Sequence, residues 1–372
     1  MTDLIFDTKK PRLGFGFMRM PAGPDGKKDL NAACAMVDEF LAAGFDYFDT
    51  AYIYEGSEEL LRESLVRRYP RDKFRVTTKL PINDFSTLEQ CKAMFEESMT
   101  RLGLEYLDVG LIHALSGKGN EKAERLGVWD YVHELKAAGR IKHLGFSFHD
   151  SAAALDGILT AHPETEVVQI QLNYIDWEDP HVDSKGCWET ARKHRKPLII
   201  MEPVKGGMLV GGDPRVADLL RASEPDRSPA SWALRFAGSQ EGVWTVLSGM
   251  SAIEQVRDNV STFRDFEPIS ESEQAVLDKA VALIREIPQY PCTECRYCVK
   301  NCPNHVVIPT IIRQYNYYLR FKPENPGGTY KMLIKPGRRA CDCIGCGACE
   351  EHCPQKLPIR EIMAKASALF DT

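Results

Sequence analysis

The segment FDYFDTAYIY, residues 45–54, joins a short aromatic run to two polar positions, and this pattern recurs along most of the chain. The run is typical of a buried β-strand, and Asp49 and Tyr54 stand where that strand ends. Further β-rich apolar runs follow at intervals, and each is a predicted strand. They are FRVTTK (74–79), LDVGLIH (107–113), IKHLGFSF (141–148), VVQIQL (167–172), PLIIM (197–201) and VWTVLSG (243–249).

Segments of helix length, with apolar residues three and four positions apart, separate these runs. Examples are LNAACAMVDEFLAAG, TLEQCKAMFEESMTRLG, DYVHELKAAGR and SPASWALRFAG. Repeated strand–helix units over about 270 residues predict an α/β fold, a closed (β/α)8 TIM barrel whose parallel strands are buried. RLGFGFM near residue 15 supplies the eighth strand or a hairpin that plugs the barrel bottom. An open doubly wound sheet is the alternative, but no GxGxxG follows the first strand.

Polar residues stand at the predicted strand ends, where TIM barrels place their catalytic groups. Each alone has a structural explanation, such as a helix cap or a hydrogen-bonded histidine. Their recurrence at corresponding places on successive strands favours a shared site instead. These residues are Asp49, Lys79, His113, Ser147, His149, Gln169, Gln171, Asn173, Glu202, Lys205 and Ser248.

Four of the polar residues in these segments have the chemistry of a proton-delivery set for carbonyl reduction. A phenol such as Tyr54 is a weak acid at neutral pH, but a neighbouring ammonium such as Lys79 stabilises its phenolate and lowers the pKa of the phenol. Asp49 can pair with that ammonium and fix its position. His113 can donate a hydrogen bond to a carbonyl oxygen and orient it for hydride attack.

The segments GFDYFDTAYIY, TTK and LIH, followed by IKHLGFSF and VQIQLNY, resemble the aldo-keto reductase superfamily. The resemblance implies that Tyr54 is the general acid/base, that Lys79 and Asp49 tune it, and that His113 orients the substrate. It also implies nicotinamide contacts at Ser147 and Gln169.

Two nicotinamide contacts of that superfamily are changed in this sequence. Phe148 stands where the family has an asparagine, and Met201 stands where a tyrosine usually stacks on the nicotinamide ring. The segment SGMSAIEQVRDNV resembles the adenosine-binding part of the family and places Gln255 and Asn259 at binding positions. Basic residues are absent from 249–255, which favours NADH over NADPH as the form of NAD(H) or NADP(H) that binds.

Eight of the twelve cysteines lie in two short copies, CTECRYCVKNCP (292–303) and CIGCGACEEHCP (343–354). Each copy has the spacing C-x2-C-x2-C-x3-C-P, which is typical of iron–sulfur ligation. Zinc is the alternative, but structural zinc sites usually take paired CxxC arms. The predicted ligands of two 4Fe–4S clusters are Cys292, Cys295, Cys298, Cys302, Cys343, Cys346, Cys349 and Cys353.

This part of the chain resembles bacterial two-cluster ferredoxins, in which the fourth cysteine of each run binds the other cluster. The resemblance implies one ligand set of Cys292, Cys295, Cys298 and Cys353, and a second of Cys343, Cys346, Cys349 and Cys302. We expect Cys341 to be a bystander, and Cys34, Cys91 and Cys187 to pack on barrel helices.

These patterns predict a barrel over residues 1–270, a connecting helix over 271–290 and a small C-terminal ferredoxin-like iron–sulfur domain over 291–372. The net charge is −6 and the basic residues are dispersed, so nucleic acid and anionic membranes are not expected as partners. A secretory leader pattern is absent, as is any apolar run of about 18 residues, and we expect a cytoplasmic protein.

Three functions are consistent with the sequence. The first is an oxidoreductase that reduces an aldehyde or ketone with NAD(P)H and uses the two clusters for electron transfer or redox sensing. The second is a nicotinamide-independent reductase that receives single electrons through the clusters from an external ferredoxin or another redox protein; the changed positions Phe148 and Met201 keep it open. The third is a non-enzymatic electron-transfer or redox-sensing protein, against which the complete set of Asp49, Tyr54, Lys79 and His113 argues.

Overall fold

The structure is a computed structural model that describes residues 6–23, 28–180, 182–211, 213–286, 289–321 and 325–371. Its contacts divide the chain into two compact units. The first comprises Met1–Pro203 and Ala230–Ser270, and the second comprises Val204–Pro229 and Glu271–Thr372. The first unit is therefore discontinuous in sequence. The domain boundaries given above, 1–270 for the barrel, 271–290 for the connecting helix and 291–372 for the iron–sulfur domain, stay a prediction.

The first unit contains a closed barrel of parallel strands in which each strand pairs with its neighbours in chain order. The strands are β1 (Arg12–Gly16), β2 (Tyr47–Asp49), β3 (Arg75–Pro81), β4 (Leu107–Leu115), β5 (Ile141–Phe148), β6 (Val167–Gln171), β7 (Leu198–Met201) and β8 (Val243–Ser248). The predicted (β/α)8 TIM barrel is confirmed, and the open doubly wound sheet is excluded. The RLGFGFM segment forms β1 rather than a plug, because Gly14 pairs with Tyr47 of β2 and Phe15 pairs with Ser248 of β8.

Helices follow most strands, as the apolar periodicity predicts. In chain order they are α1 (Leu30–Ala42), α2 (Ser57–Leu61), α3 (Leu88–Leu102), α4 (Gly117–Leu126), α5 (Val128–Ala137), α6 (Ala152–Ala161), α7 (Ser184–Lys193), α8 (Met208–Gly211), α9 (Pro214–Ser223), α10 (Pro229–Gly238), α11 (Ile253–Arg264), α12 (Glu271–Arg285), α13 (Tyr297–Lys300), α14 (Ile308–Phe321), α15 (Pro326–Leu333), α16 (Ala348–Glu351) and α17 (Ile359–Phe370). Helix α3 shows how the sequence sets such bounds. Thr87 accepts a hydrogen bond from the Gln90 amide at the start, and Gly103 adopts a left-handed conformation at the end.

The barrel interior is filled by large apolar side chains near the amino-terminal ends of the strands. Tyr47, Val109, Val167, Ile199 and Trp244 pack there and exclude water. This packed layer leaves the carboxyl ends of the strands as the place where polar side chains gather.

The second unit is a small helical body with its own core. Helices α14 and α17 pack against each other, and their buried residues include Ile311, Ile362 and Phe370. Helix α12, within the predicted connection, packs against α9. Among the described residues, no helix has both the length and the apolar character that a membrane crossing requires.

A substitution at Gly145 tests how closely the barrel is packed, because a Cβ at this position of β5 would clash with the Val167 carbonyl oxygen. We expect Gly145→Ala to lower the free energy of unfolding by about 1–3 kcal/mol through overpacking. The measurement is urea unfolding followed by tryptophan fluorescence, since all five tryptophans lie in the first unit.

Gly157 is the matched control, because it lies in α6 and a Cβ added there would meet no atom within 4 Å. Gly157→Ala should leave the unfolding free energy unchanged or raise it by about 0.5–1 kcal/mol. Equal unfolding midpoints for the two variants would contradict the predicted overpacking at Gly145.

Candidate functional site

A buried ion pair lies inside the barrel where β2 and β3 are neighbours. The Lys79 Nζ donates to Asp49 Oδ1 at 2.6 Å and to the Thr50 carbonyl oxygen at 2.6 Å. The Lys79 and Asp49 side chains are only 1% and 6% exposed. Burial raises the pKa of the Asp49 carboxyl, and the Lys79 ammonium opposes that shift. With water excluded, each charge depends on the other for compensation.

Tyr54 and His113 lie next to this ion pair. Tyr54 follows β2, and the Lys79 Nζ lies 5.3 Å from the centre of its ring. The ring centroids of Tyr54 and His113 are 5.9 Å apart and the rings meet edge to face at 85°. The structure therefore brings together all four residues of the predicted proton-delivery set, from β2, the loop after it, β3 and β4.

A second buried carboxylate supports the loop that carries Tyr54, and the sequence patterns did not single it out. Glu58, in α2, is 1% exposed and accepts a hydrogen bond from Thr78 Oγ1 at 2.6 Å. Burial raises the pKa of the Glu58 carboxyl, and the hydrogen bond from Thr78 opposes the shift. The next residue back, Ser57, donates to the Phe17 carbonyl oxygen at 3.0 Å. The sequence signal for Glu58 was an acidic residue four positions after Tyr54. An acidic residue there is equally typical of the exposed first turn of a helix.

Two of the predicted nicotinamide contacts lie within the same barrel interior. Gln169 Nε2 donates to Asp49 Oδ2 at 3.3 Å, while Gln169 Oε1 is buried and has no hydrogen-bond partner among the described residues. Ser147 Oγ accepts from the Ala114 amide at 2.8 Å. Phe148, which follows Ser147, is 2% exposed and offers no polar side-chain atom.

The two predicted adenosine contacts lie in the first seven residues of α11, the helix that follows β8. The ion pair, by contrast, lies on β2 and β3. Gln255 Oε1 accepts from the Ser251 amide at 2.7 Å. Asn259 Nδ2 donates to Ser248 Oγ at 2.9 Å and is 3% exposed. Both side chains thus order the connection between β8 and α11.

A further polar pair at the strand ends joins Arg19 to Glu202. The Arg19 Nη2 donates to Glu202 Oε1 at 3.3 Å. Glu202 has a positive φ of 55°, and Asn173 Nδ2 donates to its carbonyl oxygen at 3.0 Å, which holds this unusual backbone conformation. The sequence indicated Glu202 but not Arg19, because Arg19 lies in a short 3-10 helix (Phe17–Arg19) after β1, outside the strand pattern.

Lys205, which the sequence places among the strand-end residues, belongs by its contacts to the second unit. Its side chain is buried in the second unit, where Nζ donates to Gln355 Oε1 at 2.8 Å. The reason is that the chain leaves the barrel unit after Pro203.

Both cysteine runs belong to the second unit. Cys298, Cys349 and Cys353 are buried, and the thiol of Cys353 interacts electrostatically with both Cys292 and Cys298. Burial raises the pKa of the Cys292 thiol to about 12, and the neighbouring Cys353 adds to the shift. A thiol from the second run therefore lies with thiols of the first.

Cys349 of the second run lies near thiols of its own run and also interacts electrostatically with Cys298 of the first run. Burial raises the pKa of the Cys349 thiol to about 11, with contributions from Cys343 and Cys346. Among the described residues, no three His, Cys, Asp or Glu side chains converge on a point that could hold one metal ion. A four-iron cube binds each thiolate through a separate iron, so its ligands need not converge in that way. The two runs supply soft thiol donors, three of them buried, and this donor chemistry fits such a cluster.

Comparison with known proteins assigns both parts of the chain. Residues 12–282 match the aldo/keto reductase family, and the chain belongs to this family. It is an oxidoreductase of the aldo-keto reductase type. Residues 291–357 match a 4Fe–4S dicluster domain, so the C-terminal part carries two 4Fe–4S clusters and the zinc alternative is set aside.

Curated relatives and solved structures agree with this assignment. An aldo-keto reductase from Mycolicibacterium vanbaalenii is 30% identical over 241 residues, which cover 64% of this chain and 79% of that relative. A 9,11-endoperoxide prostaglandin H2 reductase from Trypanosoma cruzi is 26% identical, with coverage of 73% and 88%. An aldo-keto reductase from Klebsiella pneumoniae, solved in complex with NADPH, has a TM-score of 0.58 at 19% identity and coverage of 76% and 94%. The last likeness is one of fold.

Removing the cation from the buried pair gives a pH-dependent prediction. In Lys79→Met, Asp49 is left buried without its partner, and we expect a loss of about 3–5 kcal/mol in unfolding free energy at about pH 8. Burial places the folded-state pKa of Asp49 above its unfolded value, so folding favours the protonated carboxyl and the loss shrinks as pH falls. Urea unfolding at about pH 5 and about pH 8 measures the difference.

The control is the double variant Asp49→Asn/Lys79→Met, which has no carboxyl to titrate at this place. Its stability relative to the parent protein should depend less on pH than that of Lys79→Met. An identical pH dependence for the single and double variants would show that Asp49 does not carry the effect.

The cysteine assignment gives a metal-content prediction. Cys295→Ala removes one predicted ligand, and we expect the iron content to fall from about eight to about four atoms per chain. Cys341→Ala is the control, because Cys341 is exposed and lies outside both runs. Iron analysis and visible absorbance after anaerobic reconstitution measure the cluster content of both variants. Unchanged iron in Cys295→Ala would remove Cys295 from the ligand set.

Proposed function

We propose that the barrel reduces an aldehyde or ketone to an alcohol with NADH or NADPH, and that the two clusters serve electron transfer or redox sensing. The observation that carries this proposal is the buried Lys79 ammonium, paired with Asp49 and 5.3 Å from the Tyr54 ring centre, with His113 beside that ring. Packing a barrel does not require these four residue types together, whereas a site that delivers a proton to a carbonyl oxygen can use each of them.

The roles of the four residues follow from their chemistry. A bound reduced nicotinamide supplies the hydride. Tyr54 donates its phenolic proton to the oxygen that becomes the alcohol, and the Lys79 ammonium stabilises the phenolate that this leaves. Asp49 holds Lys79 in place, and His113 orients the carbonyl by donating to its oxygen. Water then restores the Tyr54 proton.

Gln169 supports a nicotinamide at this place. Its buried Oε1 lacks a partner among the described residues, and an unsatisfied buried acceptor is costly unless a ligand donor reaches it. The carboxamide N–H of a nicotinamide is such a donor, with Ser147 as a second contact. Gln255 and Asn259 would order the adenosine end. The Klebsiella pneumoniae protein of similar fold was solved with NADPH, which supports the class of cofactor, while the lack of basic residues at 249–255 favours NADH.

A specific observation favours a second candidate function. Phe148, 2% exposed, replaces a hydrogen-bonding asparagine of the family, and Met201 replaces a stacking tyrosine, so two nicotinamide contacts are altered. In this alternative, an external ferredoxin or another redox protein delivers single electrons through the clusters, and Tyr54 with His113 supplies protons. The non-enzymatic alternative is set aside by membership of the aldo/keto reductase family.

For the clusters we propose the crossed ligand sets of two-cluster ferredoxins. The electrostatic interaction of the Cys353 thiol with Cys292 and Cys298 supports the first set. The proposed sets are Cys292, Cys295, Cys298 and Cys353, and Cys343, Cys346, Cys349 and Cys302.

We further propose that the protein acts in the cytoplasm on a small-molecule carbonyl substrate.

Tyr54→Phe tests the proposed chemistry. Removing one hydroxyl takes away the proton donor, and we expect kcat for aldehyde reduction to fall by about 10²–10⁴-fold with little change in stability. The matched control is Tyr52→Phe, because Tyr52 lies two residues away and donates to the exposed Glu97 at 2.8 Å. It should leave kcat nearly unchanged.

The same assay separates the two candidate functions through the electron donor. Benzaldehyde reduction is measured anaerobically with NADH, with NADPH and with reduced methyl viologen. Turnover with a nicotinamide that Tyr54→Phe abolishes supports the first function, and turnover with viologen alone supports the second. Full activity of Tyr54→Phe with every donor would remove Tyr54 from the reaction.

A further inference from the structure

The segment VKGG, residues 204–207, follows β7 in the chain but belongs by its contacts to the second unit. Lys205 in this segment is 3% exposed, and its Nζ donates to Gln355 Oε1 at 2.8 Å. Gln355 is itself 6% exposed. A lysine ammonium is rarely buried to this degree unless neighbouring groups compensate the loss of its hydration.

Gly206 brings the same segment against the first cysteine run. A Cβ at Gly206 would lie 2.9 Å from the Thr293 Cα and 3.0 Å from its carbonyl oxygen, so only glycine permits this approach. Gly206 and Lys205 also have positive φ values of 64° and 47°. For Lys205 this conformation is unfavourable, and the surrounding contacts maintain it.

These two contacts converge on one cluster. Thr293 directly follows Cys292, and Gln355 lies two residues after Cys353. Cys292 and Cys353 come from different runs, yet their thiols interact with each other and belong to the same proposed ligand set. The VKGG segment therefore contacts Thr293 in the first run and Gln355 directly after the second run, and these two residues flank two ligands of a single proposed cluster.

We infer that the positive charge of Lys205 raises the reduction potential of the cluster held by Cys292, Cys295, Cys298 and Cys353. Reduction adds one negative charge to a cluster, and a nearby cation stabilises the reduced form. Because Lys205 is buried, water and salt screen its charge less than they screen the charge of a surface lysine. The hydrogen bond to Gln355 fixes the ammonium beside this cluster.

The inference rests on the proposed ligand set and does not require carbonyl reduction or nicotinamide binding. Its test can therefore succeed or fail independently of the proposed function. Hydrogen bonds, burial and local charge are general determinants of cluster potential, so a potential is the appropriate readout.

The experiment is an anaerobic redox titration of the full, iron-loaded chain, followed by visible absorbance and electron paramagnetic resonance, with dithionite as reductant. In Lys205→Met, we expect half of the total absorbance change to move to a more negative potential. The expected shift is about tenfold in the equilibrium between oxidised and reduced cluster, which is about 59 mV for one electron. The other half should titrate as in the parent protein.

Three variants serve as controls. Lys205→Arg keeps the charge and should titrate close to the parent protein. Lys205→Gln removes the charge but keeps a side chain that can hydrogen-bond Gln355, so it should shift like Lys205→Met. Lys279→Gln removes the charge of an exposed lysine on α12 in the same unit and should leave both potentials unchanged.

Iron analysis accompanies each titration. Unshifted potentials in a fully loaded Lys205→Met would overturn the inference, as would equal shifts of both halves of the absorbance change. If Lys205→Met and Lys205→Gln both lose about four iron atoms, Lys205 supports the fold of the cluster site and the electrostatic role is wrong.

Discussion

The ion pair between Lys79 and Asp49 is the interaction on which the candidate active site depends. Both groups are nearly excluded from water, so neither charge is tolerated without the other. The pair joins β2 to β3, and its ammonium is thereby fixed beside the ring of Tyr54. Gln169 extends this buried polar network towards β6, and Glu58 accepts a hydrogen bond from Thr78, the residue before Lys79. A charge held without free rotation needs little reorganisation when a phenolate forms beside it.

The second unit raises a question of electron counting. A nicotinamide transfers two electrons as a hydride, whereas each 4Fe–4S cluster carries one, and no flavin fingerprint stands in the sequence to convert between them. Two clusters together can hold two electrons, provided that their potentials are set appropriately. The buried Lys205 and the close approach of Gly206 to Thr293 provide a structural means of setting one potential apart from the other.

Much of the barrel was predictable because buried parallel strands are apolar throughout and end in polar residues. The positions of Asp49, Tyr54, Lys79 and His113 were predictable for the same reason, since each lies within two residues of the carboxyl end of a strand or in the loop after it. Arg19 and Glu58 were not, because their roles depend on contacts between distant elements. The grouping of Val204–Pro229 with the second unit depends on long-range contacts, which sequence order does not reveal.

Binding of a reduced nicotinamide beside Tyr54, and its use for carbonyl reduction, is the central feature of the proposed function. The most direct measurement is an anaerobic titration of the iron-loaded protein with NADH and then with NADPH, in which nicotinamide fluorescence reports binding and cluster absorbance reports reduction. We predict saturable binding of at least one of the two, at one molecule per chain, with oxidation on addition of an aldehyde. Failure of both to bind would contradict the proposed function and would leave single-electron delivery through the clusters as the function to pursue.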